Sequence, residues 1–516
     1  MTDDPDETLN EAETHHRTGD LAAAEAAYRR VLAADPDEVR ALSSFGVLLR
    51  ATGRLDEAAA LLERAADRAP GDAAVHNNLG NVQAAMGDWE AAVATYRRAL
   101  DLVSDYAEAH ANLGRALAVT EDIAGAIDHL RSARTLAPGL PGLDAELARH
   151  LIDHGNALFE GDDLETAQAA YAEALEADPE SLAAANNLGS TSRALGDLAT
   201  ALDAYDRALA IDGAHAEVRW NRALTLLLAG HEEAGWADYG WRWRRSHDLP
   251  LPALPDGQRW TGEGMGGGTL EILDEQGLGD AIQFARYIAA ARDQAGAGHV
   301  RLRCQAPLVP LLAGLDGVDE VVPREAPVAP FDAYAPLLDL PPLIGLGSAR
   351  AEPYLAAKPT DLGAKTKPRI GLLWSGGALH AEQYARSLRL DDFRSLLEAT
   401  NAEFHAFQVG PARAQLGDAP INDLGRDFEN FADTASAVAA MDLIIGVDTA
   451  VVHLAGALGK PVWTLLTFVP DWRWGMSGET TPWYPSMRLF RQPSRGDWGS
   501  VMAALQNALE AETRLS

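Results

Sequence analysis

Apolar and polar positions in the first half of the chain follow a helical period inside a longer repeat. A loop residue, an apolar residue, alanines and a tyrosine occur in this order three times, at Gly19, Leu21 and Tyr28, at Gly87, Trp89 and Tyr96, and at Gly196, Leu198 and Tyr205. The loop position returns every 34 residues, with one step of 41, at Gly19, Gly53, Gly87, Glu121, Asp162, Gly196 and Gly230. A period of this length predicts two packed helices in each repeat. We therefore expect about six stacked helical hairpins over residues 1–235.

The pattern changes after residue 268 to short apolar runs that alternate with helical stretches. The predicted strands lie in the segments LEILDEQ, HVRLRCQ, RIGLLWSG, FHAFQVG, DLIIGVD and VWTLLTF. Strands that alternate with helices predict parallel, doubly wound sheets. The fold class expected from both halves is therefore α plus α/β, with an all-helical repeat arm followed by two Rossmann-like lobes.

Segments rich in proline and glycine mark the expected domain boundaries. Residues 249–260 and 262–268 are typical of a linker, and residues 358–368 divide the second half of the chain. We expect four parts, which are repeats over 1–235, a capping helix and linker over 236–268, a first lobe over 269–360 and a second lobe over 361–516. In the capping segment, Trp236, Tyr239 and Trp243 fall at helical spacing, which favours an aromatic cap and also allows packing against the part that follows.

The net charge narrows the classes of partner. The chain has 43 basic and 76 acidic residues and a formal net charge of -33. This charge repels phosphate backbones and anionic lipid, so we expect neither nucleic acid nor a membrane as a partner. Residues 1–10 lack the basic start and the apolar run of a signal peptide, which favours a cytoplasmic protein. Cys304 is the single cysteine, which excludes an internal disulfide and a cysteine-cluster metal site.

Polar side chains recur at one position in the first helix of successive repeats. This position holds Asn78, Asn112, Asp153, Asn187 and Asn221. An amide both donates and accepts hydrogen bonds, so a row of asparagines on a concave surface can hold an extended polypeptide without reading its sequence. The four asparagines are therefore candidate acceptor-binding residues. The alternative is that these amides only stabilise the turns between helices.

The loops after three of the predicted strands are the expected places for chemistry. Ligands of open parallel sheets bind beyond the carboxyl ends of the strands, which selects the loops after LEILDEQ, RIGLLW and DLIIGV. In the first of them, DEQGLGD, we expect Gly277 and Gly279 to permit a tight turn and Asp280 to begin a helix. A carboxylate there can act as a general base that takes the proton of an acceptor hydroxyl. The alternative for Asp280 is an ordinary helix N-cap.

The loop after DLIIGV has the stronger signal. Asp448 and Thr449 end a predicted buried strand, and His453 lies one helical turn beyond Thr449. Burying three such polar groups at one turn is costly unless they bind a ligand or each other. The first amides of the helix and the Thr449 hydroxyl are suited to phosphate. The sequence therefore predicts a binding site for an anionic ligand at this turn.

These patterns resemble two known families. The period is similar to that of the tetratricopeptide repeat, and the asparagine row is similar to the one with which the repeat arm of the O-linked N-acetylglucosamine transferase grips the backbone of its acceptor protein. The segments EQGLGDAIQFARY, LLWSGG, FADTAS, DLIIGVDTAVVHLAGALGKPVW, PDWRWG and TPWYP, together with Arg386-Ser387, resemble the heptosyltransferase-like domain of bacterial repeat-containing glycosyltransferases. This resemblance spans roughly residues 236–495. It implies a GT-B fold with an inverting, metal-independent mechanism.

The resemblance also implies roles for individual residues. Asp280 matches the aspartate proposed as the catalytic base, Gln408 matches a nucleotide contact, and Arg386 matches a basic residue that meets the donor phosphate. The donor-binding residues expected in all are Ser375, Gly376, Arg386, Gln408, Asp448, Thr449 and His453. The chain departs from the family pattern at Gly377-Ala378 and, after His380, at Ala381-Glu382-Gln383. These departures leave the donor and the activity open.

The function implied is protein O-glycosylation. A sugar would pass from a nucleotide-activated donor to serine or threonine of a protein acceptor held by the repeats. The most specific expectation is flagellin as the acceptor and a CMP-linked nonulosonic acid, such as pseudaminic acid, as the donor, with UDP as the other carrier considered. No cofactor and no metal are expected, because the nucleotide sugar is a substrate. The alternatives are a lipopolysaccharide or other glycan transferase, and a non-enzymatic scaffold with a degenerate transferase domain.

Overall fold

The chain forms two compact units in the computed structural model, which describes residues 5–245, 253, 255–348, 352–376, 386–399 and 401–515. One unit comprises Met1–Thr191 with Asp206–Asp212. The other comprises Ser192–Tyr205 with Gly213–Ser516. The departures from the family pattern at residues 377–383 lie outside the described residues.

Helices account for the regular structure as far as Tyr239. They run over Pro5–Thr18, Leu21–Ala34, Val39–Ala51, Leu55–Arg68, Ala73–Met86, Trp89–Leu102, Ala107–Val119, Ile123–Leu136, Leu143–Glu160, Leu164–Ala177, Leu182–Ala194, Leu198–Ile211, Ala216–Leu228 and Glu232–Tyr239. In the first unit, each helix up to Leu164–Ala177 packs against the next one along the chain. The repeat period therefore corresponds to stacked helical hairpins, as predicted. None of the helices in the described ranges has the length and apolar composition that crossing a membrane requires.

Turns with a defined backbone separate the helices. The loop positions found in the sequence all adopt left-handed backbone angles, with φ between 66° and 84°, at Gly19, Gly53, Gly87, Glu121, Asp162, Gly196 and Gly230. Several helices begin with an aspartate whose side chain accepts a hydrogen bond from an amide two or three residues further on, at Asp20, Asp72, Asp88, Asp122 and Asp163. Such caps satisfy amides that have no partner inside the helix. The short polar loops thus fix where each helix ends and the next begins.

Glycines in the first helix of a hairpin make room for large side chains in the second. A Cβ atom on Gly80 would lie 2.6 Å from the nearest ring carbon of Tyr96. A Cβ atom on Gly155 would lie 2.7 Å from the ring of Tyr171. Overpacking of this kind is destabilising, so the two helices cross closely only where one lacks a side chain. This explains why a glycine faces each of these two tyrosines.

The second unit contains two parallel sheets. The first sheet has the strand order β3-β2-β1-β4 and consists of β1 Thr269–Leu273, β2 His299–Cys304, β3 Glu320–Pro323 and β4 Ala333–Pro336. The second has the order β10-β9-β8-β5-β6-β7 and consists of β5 Arg369–Leu373, β6 Glu403–Ala406, β7 Asn422–Asp423, β8 Leu443–Val447, β9 Val462–Leu466 and β10 Met487–Arg491. The helices among and after these strands are Leu278–Phe284, Ile288–Ala295, Val309–Leu312, Leu340–Ile344, Arg394–Ala399, Phe431–Ala439, Ala450–Ala457 and Trp498–Leu515. The predicted fold class, α plus α/β, is confirmed.

The strand order shows where ligands should bind. It reverses between β1 and β4 in the first sheet and between β5 and β8 in the second. A crevice opens at the carboxyl ends of parallel strands where such a reversal occurs. The loops after β1, β5 and β8, which the sequence singled out, therefore lie at both reversal points.

Aromatic side chains after the last repeat join the core of the second unit. The ring centroid of Trp236 lies 6.0 Å from that of Phe284 and 5.5 Å from that of Trp472. Tyr239 is buried, and its ring lies 4.9 Å from that of Trp236 at an angle of 59°. Trp243 lies beneath the guanidinium of a neighbouring arginine, 5.1 Å from its ring centroid. Because Phe284 ends the helix after β1 and Trp472 follows β9, this aromatic segment contacts both lobes.

Candidate functional site

The turn after β8 presents polar groups at the start of a helix. Every residue of β8 is buried, and Thr449 is the N-cap of the helix Ala450–Ala457. The Thr449 side chain makes no capping bond, and its hydroxyl oxygen is buried without a hydrogen-bond partner among the described residues. Asp448 is nearly buried beside it. A buried hydroxyl and free helix amides form a ready site for an anionic oxygen.

His453 lies one turn into the same helix and faces Asp448. Its Nε2 is 3.7 Å from Asp448 Oδ1, and its Nδ1 is 3.1 Å from the hydroxyl oxygen of Tyr484. The imidazole ring stacks on Trp474 with a centroid distance of 5.2 Å. Burial lowers the pKa of His453 to about 3, and the nearby Arg473 adds to this effect. His453 is therefore neutral at physiological pH.

Asp280 lies in the first turn of the helix Leu278–Phe284. The N-cap of this helix is Gly277, so the alternative that Asp280 is itself the N-cap was wrong by three positions. Asp280 Oδ2 nevertheless accepts a hydrogen bond of 2.9 Å from the Gly277 amide, and its Oδ1 forms an ion pair with Arg473. Burial raises the pKa of the Asp280 carboxyl, and the Arg473 guanidinium opposes this rise. A carboxylate with a raised pKa is suited to accept a proton.

Arg473 is a residue that the sequence reasoning missed. Its Nη1 donates to Asp471 Oδ1 at 2.7 Å, and its Nε donates to Gln283 Oε1 at 2.6 Å. Arg473 also forms the ion pair with Asp280, so it contacts one carboxylate from each lobe. Its side chain is only 8% exposed. The available signal was the segment PDWRWG, which the family resemblance included and which contains both Asp471 and Arg473.

Close backbone packing brings the two turns together. A Cβ atom on Gly279 would lie 3.0 Å from His453 Cδ2 and 3.3 Å from Ala450 Cα. Gly279 therefore allows the helix Leu278–Phe284 to approach the helix Ala450–Ala457. The expectation that Gly277 and Gly279 make a tight turn needs correction, because the left-handed residue is Gln276, with a φ of 59°, and Gly277 is extended.

The turn after β5 lies beside the turn after β8. The amides of Trp374 and Ser375 donate to Gln408 Oε1 at 3.3 and 2.9 Å, and Gln408 Nε2 donates to the Ser375 carbonyl at 3.1 Å. Gln408 is only 2% exposed, so its amide holds this turn in place. A Cβ atom on Gly376 would lie 3.7 Å from Thr449 Cγ2. The structure thus brings these predicted donor-site residues together, with Gln408 as an internal support.

Charged groups of both signs surround the turn after β8. Arg386 Nη1 lies 3.5 Å from Asp448 Oδ2. Burial, with the neighbouring Asp471, raises the pKa of Asp448, and Arg386 opposes the rise. Burial alone would raise the pKa of Asp471, but the Arg473 guanidinium outweighs burial and holds this pKa below its usual value. Asp471 therefore offsets the charge of Arg473, and Arg386 places a second guanidinium beside the turn after β8. No group of three or more His, Cys, Asp or Glu side chains within the described ranges could hold a metal ion.

The buried His453 predicts a pH-dependent loss of stability. Its folded-state pKa of about 3 lies below the ordinary value of 6.5, so the unfolded chain takes up a proton first as the pH falls. Above pH 6.5 the histidine is neutral in both states, and protonation does not affect the free energy of unfolding. Between pH 6.5 and about 3 the proton binds to the unfolded chain alone, so the folded protein loses stability as the pH falls. At about pH 5 the loss is about 2 kcal/mol. We expect urea unfolding to show that the native protein loses about 2 kcal/mol more between pH 7 and 5 than His453→Gln does. Parallel pH dependence of the two proteins would contradict the assignment.

The asparagines of the repeats bond to one another across neighbouring hairpins. The amides of the asparagine row donate to side chains of the preceding repeat. The bonds run from Asn78 to Ser43 at 3.3 Å, from Asn112 to Asn77 at 3.0 Å and from Asn187 to Asn156 at 3.0 Å. Asn221 lies in the other unit and is half-buried. These bonds show that the amides stabilise the stack of neighbouring repeats, whereas the alternative stated from the sequence was that they stabilise the turns between helices. Asn78, Asn112 and Asn187 are nevertheless only half-buried, so part of each side chain reaches the surface.

Comparison with known families distinguishes the two halves of the chain. The tetratricopeptide repeat matches residues 9–73, 77–141 and 152–216. Glycosyltransferase family 9 (heptosyltransferase) matches residues 429–496. The second match includes Asp448, Thr449 and His453, whereas Asp280, Ser375, Gly376, Arg386 and Gln408 lie outside it.

A curated relative is similar over both halves. Protein FlbA of Caulobacter vibrioides is 29% identical over 378 residues, which cover 66% of this chain and 63% of that protein. The chain therefore spans less than two thirds of the length of this relative. Among solved structures, YrrB, described as a TPR protein with an unusual peptide-binding site, is 22% identical, with 35% of this chain and 89% of that chain covered and a TM-score of 0.27. A tetratricopeptide repeat protein from Parabacteroides merdae is 15% identical, with 47% and 94% covered and a TM-score of 0.30.

Proposed function

Because the chain is a tetratricopeptide-repeat protein with a glycosyltransferase family 9 domain, we propose that it transfers a sugar from a nucleotide-activated donor to a protein. The observation that carries this proposal is the meeting of two strand-to-helix turns in the second unit. One turn has an open hydroxyl at Thr449 and free helix amides, and the other has the half-buried carboxylate of Asp280. The first is suited to an anionic leaving group and the second to a nucleophile that must lose a proton.

The proposed reaction is a direct displacement. The oxygen of a serine or threonine hydroxyl attacks the anomeric carbon, the bond from that carbon to the donor phosphate breaks, and the hydroxyl proton goes to Asp280. Negative charge that develops on the phosphate is stabilised by Arg386 and by the first amides of the helix Ala450–Ala457. Attack opposite to the leaving phosphate inverts the anomeric configuration. The positive charge needed at the phosphate is available from the protein, so the proposed mechanism uses no metal ion.

The acceptor in this proposal is a protein bound by the repeats. Tetratricopeptide repeats stack into extended surfaces that are suited to protein binding. Asn78, Asn112 and Asn187 each use an amide N–H between repeats. The carbonyl oxygens of Asn112 and Asn187 also accept from Arg115 and Asn186, and each keeps a second lone pair. An extended chain has backbone N–H groups that can donate to these oxygens. Flagellin is the specific acceptor that we propose, with a CMP-linked nonulosonic acid as the donor.

Thermal unfolding with separate nucleotides tests the donor site. At about 100 times its dissociation constant, a nucleotide that binds the native protein adds about 2.7 kcal/mol to its stability. We expect CMP to raise the melting temperature, and UDP, GDP and ADP to raise it less. Asp448→Ala should abolish the shift, because Asp448 lies at the binding turn. Asp442→Ala is the matched control, because Asp442 precedes the opposite end of β8, where it pairs with Lys365.

The other nucleotides give distinct outcomes. A selective shift with ADP in place of CMP would favour a glycan transferase closer to heptosyltransferases. A selective shift with UDP would keep protein glycosylation and change the donor. An absence of any shift would contradict donor binding and favour a scaffold. An equal shift for Asp448→Ala would place the nucleotide elsewhere in the protein.

A further inference from the structure

The imidazole of His453 is held by Tyr484 and Trp474. The Tyr484 hydroxyl lies 3.1 Å from its Nδ1, and Trp474 stacks on its face with the two ring planes 25° apart. Gly456 lies next to Tyr484, where a Cβ atom would come within 2.5 Å of the tyrosine ring. Tyr484 is therefore seated against the helix that carries His453, and its hydroxyl cannot move away without disturbing the core.

The neighbours of Nε2 determine which ring nitrogen has the proton. A neutral imidazole has one N–H and one acceptor nitrogen. Nε2 lies 3.7 Å from Asp448 Oδ1, which is too long for a hydrogen bond but close enough for electrostatics to matter. A lone pair on Nε2 would point toward a carboxylate, whereas an N–H there is attracted to it. The proton therefore belongs on Nε2.

This choice fixes the role of the tyrosine. With the proton on Nε2, Nδ1 is an acceptor and requires a donor, and the Tyr484 O–H lies within reach. On its other side, Tyr484 has Arg286, whose guanidinium carbon is 4.6 Å from the ring centroid. A cation over the face of an aromatic ring is attracted to it, so this contact holds the Tyr484 ring in place while its hydroxyl faces Nδ1.

We propose that Tyr484 is a positioning residue, which donates to Nδ1 and so keeps His453 as a neutral Nε2–H donor aimed at the turn after β8. The inference rests on the proposed function, because the group that receives the Nε2–H is an oxygen of the donor phosphate beside Thr449. A neutral donor strengthens its bond as charge develops on the leaving phosphate, and it does not titrate between pH 5 and 8. Tyr484 itself touches neither donor nor acceptor.

The first test observes the tautomer without any substrate. The full chain is labelled with ¹⁵N at its histidine side chains, and the ring nitrogens of His453 are assigned from the signals that His453→Gln removes. We expect a protonated, pyrrole-type Nε2 and an unprotonated, pyridine-type Nδ1. In Tyr484→Phe, the signals should shift toward a mixture of both tautomers. A pyrrole-type Nδ1 in the native protein would overturn the proposal, even if the protein proves to be an active transferase.

The second test separates positioning from packing. Tyr484→Phe keeps the ring and should lower kcat about 100-fold, the loss typical of one donor to a developing charge, with little change in the KM of the nucleotide sugar. In a His453→Gln background, where the amide needs no tautomer control, Tyr484→Phe should cost almost nothing further. Equal losses in both backgrounds would show that the hydroxyl is merely structural and would overturn the proposal.

Tyr287→Phe is the matched control for the loss of a buried hydroxyl. The Tyr287 hydroxyl donates to the Leu346 carbonyl at 3.1 Å, away from His453. We expect this variant to leave the His453 spectrum and kcat unchanged. If the native protein shows the expected tautomer but no sugar transfer, the proposed function fails while the assignment of the Nε2–H holds.

Discussion

Replacement of Asp280 by asparagine is expected to lower kcat for sugar transfer by about 10²- to 10⁴-fold, because an amide cannot accept the proton of the acceptor hydroxyl. Asparagine has nearly the same shape, and its carbonyl oxygen can still accept the hydrogen bond from Gly277. Nucleotide binding should persist, because the proposed phosphate site lies at Thr449 and not at Asp280. The measurement is the initial rate of acceptor glycosylation at saturating donor.

Asp433→Asn is the matched control for this substitution. Asp433 occupies the same place in the helix Phe431–Ala439 as Asp280 does in its own helix, and its Oδ2 accepts from the amide of the N-cap Asn430 at 3.1 Å. Within the part of the chain that the structure describes, Asp433 has no arginine partner of the kind that Asp280 has in Arg473. We expect Asp433→Asn to retain its rate. A full rate for Asp280→Asn would exclude Asp280 as the base.

Replacement of Arg242 by methionine is expected to destabilise the second unit by about 3–5 kcal/mol, the cost typical of a buried charge left without its partner. The Arg242 side chain is 1% exposed and donates to both oxygens of Glu275, at 2.6 and 2.7 Å, and to Asp339 at 2.8 Å. Without it, the buried Glu275 has to be neutralised by a proton. Because Glu275 precedes the turn that holds Asp280, donor binding should weaken as well. Urea unfolding monitored by tryptophan fluorescence measures the effect.

Two variants show whether the cause is the unpaired charge. Arg394 forms an exposed ion pair with Asp391, so Arg394→Met should not change the unfolding midpoint. Adding Glu275→Leu to Arg242→Met removes the unpaired carboxylate and should recover part of the lost stability. A double variant that is less stable by the sum of the two single effects would show that packing, and not charge, explains the loss.

The sequence predicted best those features that recur or that depend on a few neighbouring residues. Gly53 and Gly87 mark turns with left-handed backbone angles, and the same spacing located Glu121 and Asp162, which adopt that conformation without being glycine. The strands β1, β2, β5, β6, β8 and β9 were predicted because apolar residues recur through each of these segments and their flanks. The strands β3, β4, β7 and β10 were not, because β3 and β4 end in proline, β7 has only two residues, and β10 has arginines between its apolar residues.

The site was predictable only in part, because its key contacts join distant residues. Asp448, Thr449 and His453 could be read from one segment, since a strand-to-helix turn brings them together. The ion pair of Asp280 with Arg473 spans 193 positions and joins two lobes, so no local pattern indicates it. From the sequence, we expected Gly279 to permit a tight turn. In the structure, Gly279 is needed because a side chain there would collide with the helix Ala450–Ala457 of the other lobe. Such packing requirements appear only when the partner surface is known.

The fate of a labelled sugar tests the central claim most directly. The full chain is incubated with an extract of the source organism and with CMP- or UDP-linked donors that have an isotope label in the sugar. We expect label in the protein fraction that resists organic extraction and is released by β-elimination from serine or threonine, and we expect none with Asp280→Asn. Label confined to the lipid fraction, or free nucleotide released without labelled protein, would contradict transfer to a protein acceptor.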